Sequence, residues 1–289
     1  MSQPNLSRAI KELEESLGIT IFNRTSRGIY PTEEGIEFLT YAQAILKQIS
    51  DVEDLYKKKD SNVINFSISV PRASYITDVF TEFLNNIPSD NKKLEMNFNE
   101  TNSTSAIDNI LDNNYRLGII RYQKNYEGYY NSVLQEKGLI GEHICEFKYN
   151  LVMSAENELA KKDSITLSDL KECIELLHGD KHLQASNISI NVNIEPSESS
   201  KKVYIYERGS QFDILSEIKS SYMWASPIPE KTLKKYNLVE REVDENNFIY
   251  TDIIIMRKGY QLSNYDIEFI NLLKTRAKAI QKRQKNDNI

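Results

Sequence analysis

The first sixty residues carry apolar side chains at helical spacing. Four residues three or four positions apart form an apolar stripe on a short helix: Leu6, Ile10, Leu13 and Leu17. Ser2 can cap this helix, Pro4 suits its first turn and Gly18 can end it. Apolar runs at 19–22 and 29–30 flank a basic turn and predict two brief strands. Helix, strand, turn and strand is the order of a winged helix.

A second, longer helix is predicted from Thr32, a good N-cap, with Glu33 and Glu34 complementing the helix dipole in its first turn. Its apolar positions recur at steps of three and four: Ile36, Leu39, Ala42, Ile45, Leu46, Ile49, Val52, Leu55 and Tyr56. A narrow apolar stripe on a long helix favours a partner helix, so we expect this helix to dimerise the protein. The alternative is that the stripe packs on the domain that follows in the same chain.

Beyond a polar break at residues 60–62, strands and helices alternate. The first block has strand, helix, strand, helix and strand, at residues 63–70, 75–85, 94–99, 105–112 and 117–121. The second block repeats the alternation, with strands at 149–154, 203–207, 222–225 and 249–256 and helices at 167–173, 211–219 and 264–279. Such alternation predicts parallel sheets, whose ligands sit beyond the carboxyl ends of the strands. Residues 181–202 are predicted to be a long loop with one strand in it.

Composition and charge narrow the class of protein. A chain of 289 residues exceeds the usual single-domain size, so at least two compact units are expected. A net charge of −6 and a pI near 5.4 argue against a broad nucleic-acid-binding surface but are compatible with a small local DNA contact. No apolar run approaches the roughly 20 residues of a membrane span, and no export signal is found. We therefore expect a cytoplasmic protein without membrane contact.

Cysteine and histidine give little support for catalysis or metal binding. Cys145 and Cys173 show no metal or disulfide spacing and are interpreted as ordinary part-buried thiols rather than a redox switch. His143, His178 and His182 have no metal-ligand spacing, and neither a nucleophile elbow nor a glycine-rich phosphate loop is found. The sequence predicts no enzyme, no metal and no cofactor.

The N-terminal residues resemble the LysR family of bacterial transcription regulators. The resemblance is carried by residues 2–14 (SQPNLSRAIKELE), by 17–18 (LG), by 22–25 (FNRT), and by 32–35 (TEEG), which is similar to the start of the family's linker helix. Many positions match at fixed spacing, and the two-lobed organisation downstream is similar to the family's effector domain. The resemblance covers essentially the whole chain, closely before Tyr56 and loosely after it.

The resemblance implies that the first helix is a recognition helix and that the turn after it is a wing. Polar and basic side chains at these places can reach base edges and phosphates. The predicted DNA contacts are Ser2, Gln3, Pro4, Asn5, Ser7, Arg8, Lys11, Arg24, Thr25 and Arg27. The alternative is a solvated amphipathic helix and a basic turn.

A helix-turn-helix braces its recognition helix with a preceding helix, whereas this chain begins at the recognition helix. We therefore expect a partial head, from a fragment or a misplaced start. DNA binding is expected to need the upstream helices.

Pattern and resemblance together predict an α/β chain in three parts. Residues 1–31 form a partial winged helix-turn-helix DNA-binding domain, and residues 32–60 form the dimerising linker helix. Residues 61–289 form an effector-binding domain of two Rossmann-like α/β lobes, which resembles a type II periplasmic-binding-protein fold. Lobe I is expected at about 61–148 and 256–289, and lobe II at about 149–255.

Loops between strand ends and helix starts in both lobes are predicted to bind a small molecule. Helix N-termini favour anions, and arginine can clamp a carboxylate. The predicted contacts are Arg72, Ala73, Ser74, Asn102, Ser103, Thr104, His178, Arg208, Gly209 and Ser210. The alternatives are plain N-caps for the hydroxyl residues, a surface role for His178 and a salt bridge for Arg208. Trp224 is either core or cleft wall.

The resemblance implies a regulator that binds double-stranded promoter DNA as a homodimer or homotetramer and responds to a small-molecule co-inducer. The arginines favour an anionic or zwitterionic metabolite. A small-solute-binding protein without DNA-binding function is the alternative, because two α/β lobes around a cleft are also that class's architecture. The first sixty residues favour the regulator.

Overall fold

The computed structural model describes residues 3–25, 28–57, 63–88, 93–179, 199–243 and 245–286. The chain divides into two compact units, Met1–Asn62 and Val63–Ile289. In the described ranges, no helix combines the length and the apolar character that crossing a membrane requires.

The first unit contains two helices around a two-stranded sheet. Helix α1 is Gln3–Leu17, strand β1 is Phe22–Thr25, β2 is Gly28–Pro31 and helix α2 is Glu33–Lys57. The strands are antiparallel, with Phe22 opposite Pro31. The predicted order of helix, strand, turn and strand, followed by a long helix, is confirmed.

Local hydrogen bonds fix the passage from α1 to the sheet. Gly18 has a φ of 70°, which favours glycine, and its N–H donates to the Glu14 carbonyl at 2.9 Å. The Glu14 carboxylate then accepts from the N–H groups of Ile21, at 2.7 Å, and Phe22, at 3.0 Å. One side chain therefore joins the end of α1 to the start of β1.

The start of α2 is held just as closely. The Thr32 hydroxyl accepts from the N–H of Gly35 at 2.8 Å, as expected of an N-cap. Gly35 is buried, and a methyl group on it would overlap the carbonyl oxygen of Ile21. Only glycine permits this close approach of backbones.

Gly35→Ala should therefore destabilise the first unit by about 1–3 kcal/mol, because the added methyl forces the two backbones apart. Far-UV circular dichroism during thermal unfolding measures the loss. Gly128→Ala is the matched control, since a methyl there meets no atom within 4 Å. Equal melting of both variants would contradict the close packing at Gly35.

The second unit contains ten strands and six longer helices among its described residues. The strands are β3 Val63–Pro71, β4 Lys93–Thr101, β5 Leu117–Gln123, β6 Leu139–Lys148, β7 Asn150–Ser154, β8 Ile174–His178, β9 Lys201–Ile205, β10 Ser221–Ala225, β11 Leu238–Arg241 and β12 Ile249–Arg257. The helices are α3 Ser74–Asn86, α4 Ser103–Asp112, α5 Glu127–Glu136, α6 Gln211–Glu217, α7 Glu230–Lys235 and α8 Asn264–Asn286.

Two five-stranded sheets make two lobes. The order in lobe I is β4-β3-β5-β12-β6, and the order in lobe II is β11-β7-β10-β8-β9. Strands β3, β4 and β5 are parallel, as are β8, β9 and β10, whereas β12, β7 and β11 run antiparallel to their neighbours. The predicted α/β class with two lobes is confirmed. The core of lobe I is aromatic, with the Phe66, Phe83 and Phe269 ring centroids 5.0–5.6 Å apart.

The chain returns to lobe I earlier than the sequence indicated. Strand β12 pairs with β5 and β6 from Ile249 onwards, so residues 249–255, assigned above to lobe II, lie in the sheet of lobe I. When a strand is apolar on both faces, its sequence does not indicate which of two sheets it joins.

Several elements differ from the sequence prediction. The segment predicted as a helix at 167–173 is a 3-10 turn, Leu167–Leu170, followed by β8. Thr166 and Asp169 form a capping box at its start, which is typical of the beginning of a helix, but the helical conformation ends after one turn. Helices α5 and α7 and strands β6, β8 and β11 were not predicted. In the segment 181–202, residues 181–198 lie outside the described part, and β9 begins at Lys201.

Candidate functional site

The outer face of α1 carries exposed cations. The Arg8 and Lys11 side chains are 82% and 75% exposed and pair with Glu12 at 2.9 Å and with Glu15 at 3.7 Å. Such i,i+4 surface pairs are weak, roughly 0.3–0.5 kcal/mol. Another anion can therefore replace these carboxylates at little cost.

The other predicted DNA contacts fall in three groups. Asn5 is exposed and Ser7 half-buried on α1. The Thr25 hydroxyl donates to the Gly28 carbonyl at 3.1 Å and closes the turn between β1 and β2. The side chains of Gln3, Pro4 and Arg24, and all of Ser2 and Arg27, lie outside the described residues.

A cleft between the two lobes of the second unit encloses about 380 Å³ of space, part of it open to solvent. Lobe I contributes Arg72, Ser74 and Arg121. Lobe II and the chain leading into it contribute Tyr149, His178, Arg208, Gln211, Phe212, Met223, Trp224, Ala225, Ser226 and Ile228.

Four of the ten predicted effector contacts line this cleft. Arg72 and Ser74 lie where β3 gives way to α3, His178 ends β8, and Arg208 follows β9. All four stand at the carboxyl ends of parallel strands, the edge at which such sheets hold their ligands.

Arg121 of β5 forms a buried ion pair with Asp252 of β12. Its Nε and Nη2 donate to the two carboxylate oxygens at 2.7 and 2.6 Å, and the side chains are 7% and 0% exposed. Burial acts against the charge of Arg121, but the charge and hydrogen bonds of Asp252, together with Tyr149 and Tyr75, outweigh it and raise the guanidinium pKa well above its usual value. Tyr75 also donates to Asp252, at 2.5 Å, and burial followed by this carboxylate raises the Tyr75 pKa.

Arg208 of lobe II reaches across the cleft to lobe I. Its guanidinium pairs with Glu100 and donates to the hydroxyls of Thr77 at 2.8 Å and Ser74 at 2.7 Å. Burial lowers the pKa of Arg208, and Arg121 and Arg72 act in the same direction, although Glu100 opposes them. The predicted alternative of a salt bridge for Arg208 is therefore realised, and its partner is in the opposite lobe.

A second ion pair also joins the lobes. Lys231 of α7 pairs with Asp78 of α3, which is itself paired with Arg276 of α8. Both cross-lobe pairs engage the same side of lobe I, with Glu100 in β4 and Asp78 in α3.

The other six predicted contacts do not line the cleft. Asn102 caps α4 by accepting from the Ser105 N–H at 2.9 Å, and the Ser103 hydroxyl bridges the carbonyl and N–H of Arg121 at 2.7 and 3.0 Å. Thr104, Gly209 and Ser210 are exposed, and Ala73 is buried at the start of α3. Asn102 is thus an N-cap, a role that the sequence analysis considered only for the hydroxyl residues. The Ser103 hydroxyl therefore holds the backbone of Arg121 in place.

Sequence reasoning missed several lining residues, of which Arg121 left the clearest signal. It is the one charged residue in the strand Leu117–Gln123, which is otherwise buried, and a charge there needs a partner or a role. Trp224, predicted as core or cleft wall, lines the cleft. Gln211 could not be recognised as a lining residue from the sequence, because glutamine is an ordinary residue at the start of a helix.

Cys145 is fully buried, with its sulfur 3.8 Å from the Tyr75 hydroxyl. Burial, followed by the nearby Asp252 carboxylate, raises the pKa of the thiol to about 12. Burial also raises the pKa of Cys173, which is only half-buried. Both thiols therefore stay protonated near neutral pH, in line with the interpretation as ordinary thiols.

Cys145 should be inert to Ellman's reagent in the folded protein. At pH 8 a thiol with a pKa near 12 is a thiolate in roughly one molecule in ten thousand, and its burial blocks the reagent. A Cys173→Ser variant, which leaves Cys145 as the remaining cysteine, should release no colour until urea is added. Fast reaction of the native variant would show that Cys145 is accessible.

Comparisons with known proteins agree with these features. Residues 1–36 match the family described as bacterial regulatory helix-turn-helix protein, lysR family. The curated HTH-type transcriptional regulator YtlI of Bacillus subtilis (strain 168) is 26% identical over 178 residues, 59% of this chain and 52% of YtlI. The matched stretch thus spans about half of that relative's length.

Two solved structures share the fold. Full-length OxyR from Pseudomonas aeruginosa has a TM-score of 0.57 at 16% identity, covering 96% of this chain and 86% of OxyR. Full-length CbnR complexed with its target DNA has a TM-score of 0.53 at 14% identity, covering 96% of this chain and 91% of CbnR. Residues 1–36 therefore match a lysR-family helix-turn-helix, and the chain shares the fold of these two solved structures.

Proposed function

We propose that the protein is a DNA-binding transcription regulator whose activity is tuned by a small molecule held between the two lobes. The combination of a LysR-type head with a cleft lined by three arginines supports this proposal. The head supplies exposed cations on α1, and the cleft supplies a positive site for a small anion. The implied partners are promoter DNA, an anionic or zwitterionic co-inducer and further copies of the chain.

The proposed mechanism is a shift in the balance between two arrangements of the lobes. Arg208 and Lys231 hold the lobes together through Glu100 and Asp78. A ligand in the cleft competes for these charges or adds contacts across it, and so changes the preferred arrangement. Paired heads would then sit differently on spaced half-sites.

A solute-binding protein without DNA-binding function is the second candidate, because the two-lobed unit alone has that architecture. The residues matching a regulatory helix-turn-helix favour the regulator. CbnR, of similar fold, is a protein solved with its target DNA.

The DNA-binding role is tested with the full-length protein on its own promoter fragment. Arg8→Ala should weaken binding by about 1–3 kcal/mol if Arg8 contacts a base, and added salt should weaken binding by the parent protein. Lys234→Ala is the matched control, because Lys234 is 75% exposed and also has an i,i+4 carboxylate partner, but lies in lobe II. If the parent protein and Arg8→Ala bind DNA equally well, Arg8 does not contact the DNA. If the parent protein does not bind DNA, or if salt does not weaken its binding, the solute-binding candidate is favoured.

A further inference from the structure

The chain passes between the two lobes twice, and the first passage is a single residue long. Strand β6 of lobe I ends at Lys148 and strand β7 of lobe II begins at Asn150, so Tyr149 alone joins them. The return passage runs from Arg241 at the end of β11 to Ile249 at the start of β12. Domains rotate about a few residues at the ends of elements, whose backbone torsions absorb the change. Any rotation of the lobes therefore bends the chain at or beside Tyr149.

The ring of Tyr149 is fixed on the sheet of lobe I. It stacks on the ring of Tyr250, with centroids 4.0 Å apart and planes 10° apart, and the two residues are 8% and 7% exposed. Tyr250 lies opposite Phe147 of β6, and its hydroxyl accepts from Nε2 of Gln123 of β5 at 3.2 Å. Rotation about the N–Cα bond of Tyr149 swings its ring off this stack, so the stack holds the φ torsion.

The carbonyl of Tyr149 is fixed by the return passage. Nδ2 of Asn246 donates to this carbonyl at 2.7 Å, and Oδ1 of Asn246 accepts from the N–H of Phe248 at 3.2 Å. Asn246 is 4% exposed, so water does not readily replace these bonds. Rotation about the Cα–C bond of Tyr149 pulls its carbonyl away from Asn246. The side chain of Asn246 therefore holds the ψ torsion and ties the two passages together.

The hydroxyl end of the Tyr149 ring also has a fixed neighbour. Nη1 of Arg121 donates to this hydroxyl at 3.4 Å, and the guanidinium lies over the rings of Phe147 at 4.7 Å and of Tyr149 at 5.7 Å. Arg121 is itself held by its buried ion pair with Asp252 of β12. The ring is thus bounded by groups of lobe I on its face and at its hydroxyl.

We propose that Tyr149 is a clamped hinge. Its clamp consists of the ring stack on Tyr250 and the hydrogen bond from Asn246, which together hold both backbone torsions and keep the lobes in one relative orientation. The lobes rotate only when one of these two contacts breaks. The inference rests on the proposed mechanism of a shift between two arrangements of the lobes, and it assigns the contacts that resist this shift.

The test measures the distance between one spin label on each lobe by pulsed electron paramagnetic resonance of the full chain. The labels are attached at Asn85→Cys on α3 and at Glu217→Cys on α6, both exposed positions, in a protein that carries Cys173→Ser. The buried Cys145 stays unlabelled. Labelled chains are mixed with an excess of unlabelled chains, so each distance comes from one copy.

Arg208→Ala and Lys231→Ala are present throughout, because both side chains form ion pairs between the lobes that would hide a loosened hinge. This unlatched protein should still give one narrow distance, since its clamp is intact. Tyr149→Leu added to it should broaden the distribution or add a second maximum, whereas Tyr149→Phe keeps the ring stack and should give the same distribution as the unlatched protein. Asn246→Ala frees the Tyr149 carbonyl and should broaden the distribution as well.

Tyr130→Leu is the matched control, because it removes a ring from a stack within lobe I, 4.7 Å from the ring of Tyr122. It should leave the distance narrow. A broad distribution in the unlatched protein or in Tyr130→Leu would overturn the inference, and so would an unchanged one in either Tyr149→Leu or Asn246→Ala. If Tyr149→Leu does not fold, Asn246→Ala decides. The distances are measured without DNA and without a ligand, so the clamp and the DNA-binding role can fail separately.

Discussion

Asp252→Ala will lower the free energy of unfolding of the second unit by about 3–5 kcal/mol, because it leaves the Arg121 charge buried without its partner. The two side chains are almost inaccessible to water, and Arg121 stacks over the Phe147 ring at 4.7 Å, so the guanidinium cannot easily reach solvent. Urea unfolding followed by the fluorescence of Trp224, the single tryptophan, reports on this unit.

Two further variants make this measurement specific. Arg121→Met combined with Asp252→Leu should recover part of the loss, because no unpaired charge remains. Glu172→Ala breaks an exposed pair with Lys201 and should leave the transition where it is. A loss below about 1 kcal/mol for Asp252→Ala would mean that water reaches the pair in solution.

Ile45→Glu combined with Ile49→Glu should convert the protein to monomers. Ile45 and Ile49 are 58% and 50% exposed on α2, and Ile36, Tyr41 and Leu46 on the same helix are also at least 58% exposed. If α2 pairs with the α2 of a second copy, carboxylates in that seam are buried without partners and association fails. Multi-angle light scattering measures the mass.

Thr40→Glu is the matched control on the same helix. At 100° per residue, Thr40 lies on the face opposite Ile45 and Ile49, and it is exposed. It should leave the assembly intact. If the variant with both substitutions has the same mass as the parent assembly, the apolar stripe packs within one chain and does not dimerise the protein. The side chains of Val52, Leu55 and Tyr56, the last three residues of the predicted stripe, lie outside the described residues.

The head could be predicted in detail because its signals are local. Gly18 and Thr32 each act through atoms only a few residues away in the chain, so residue type and spacing suffice to predict their roles. The wing and both helices follow from the same short-range rules.

The cleft was predicted only in part. Of the residues indicated by the rule that ligands sit at the carboxyl ends of parallel strands, Arg72, Ser74, His178 and Arg208 line the cleft. The same rule indicated Asn102, Ser103 and Thr104, which do not line the cleft: Asn102 caps α4, the Ser103 hydroxyl bonds to the backbone of β5, and Thr104 is exposed. An N-cap and a ligand contact use the same residue types, so sequence alone cannot separate them.

By itself the sequence determined the α/β class, the winged head with its long helix, the strand ends at which the cleft lies and the positive charge near it. Tertiary structure alone decided that Arg121 meets Asp252, 131 residues away, that Arg208 meets Glu100, 108 residues away, and that β12 joins the sheet of lobe I. It also decided that the rings of Tyr149 and Tyr250 stack where the chain passes between the lobes. The physical reason is range: helix caps, turns and periodicity act within a few residues, whereas a charge or a buried donor finds its partner only through the register and packing of strands distant in sequence.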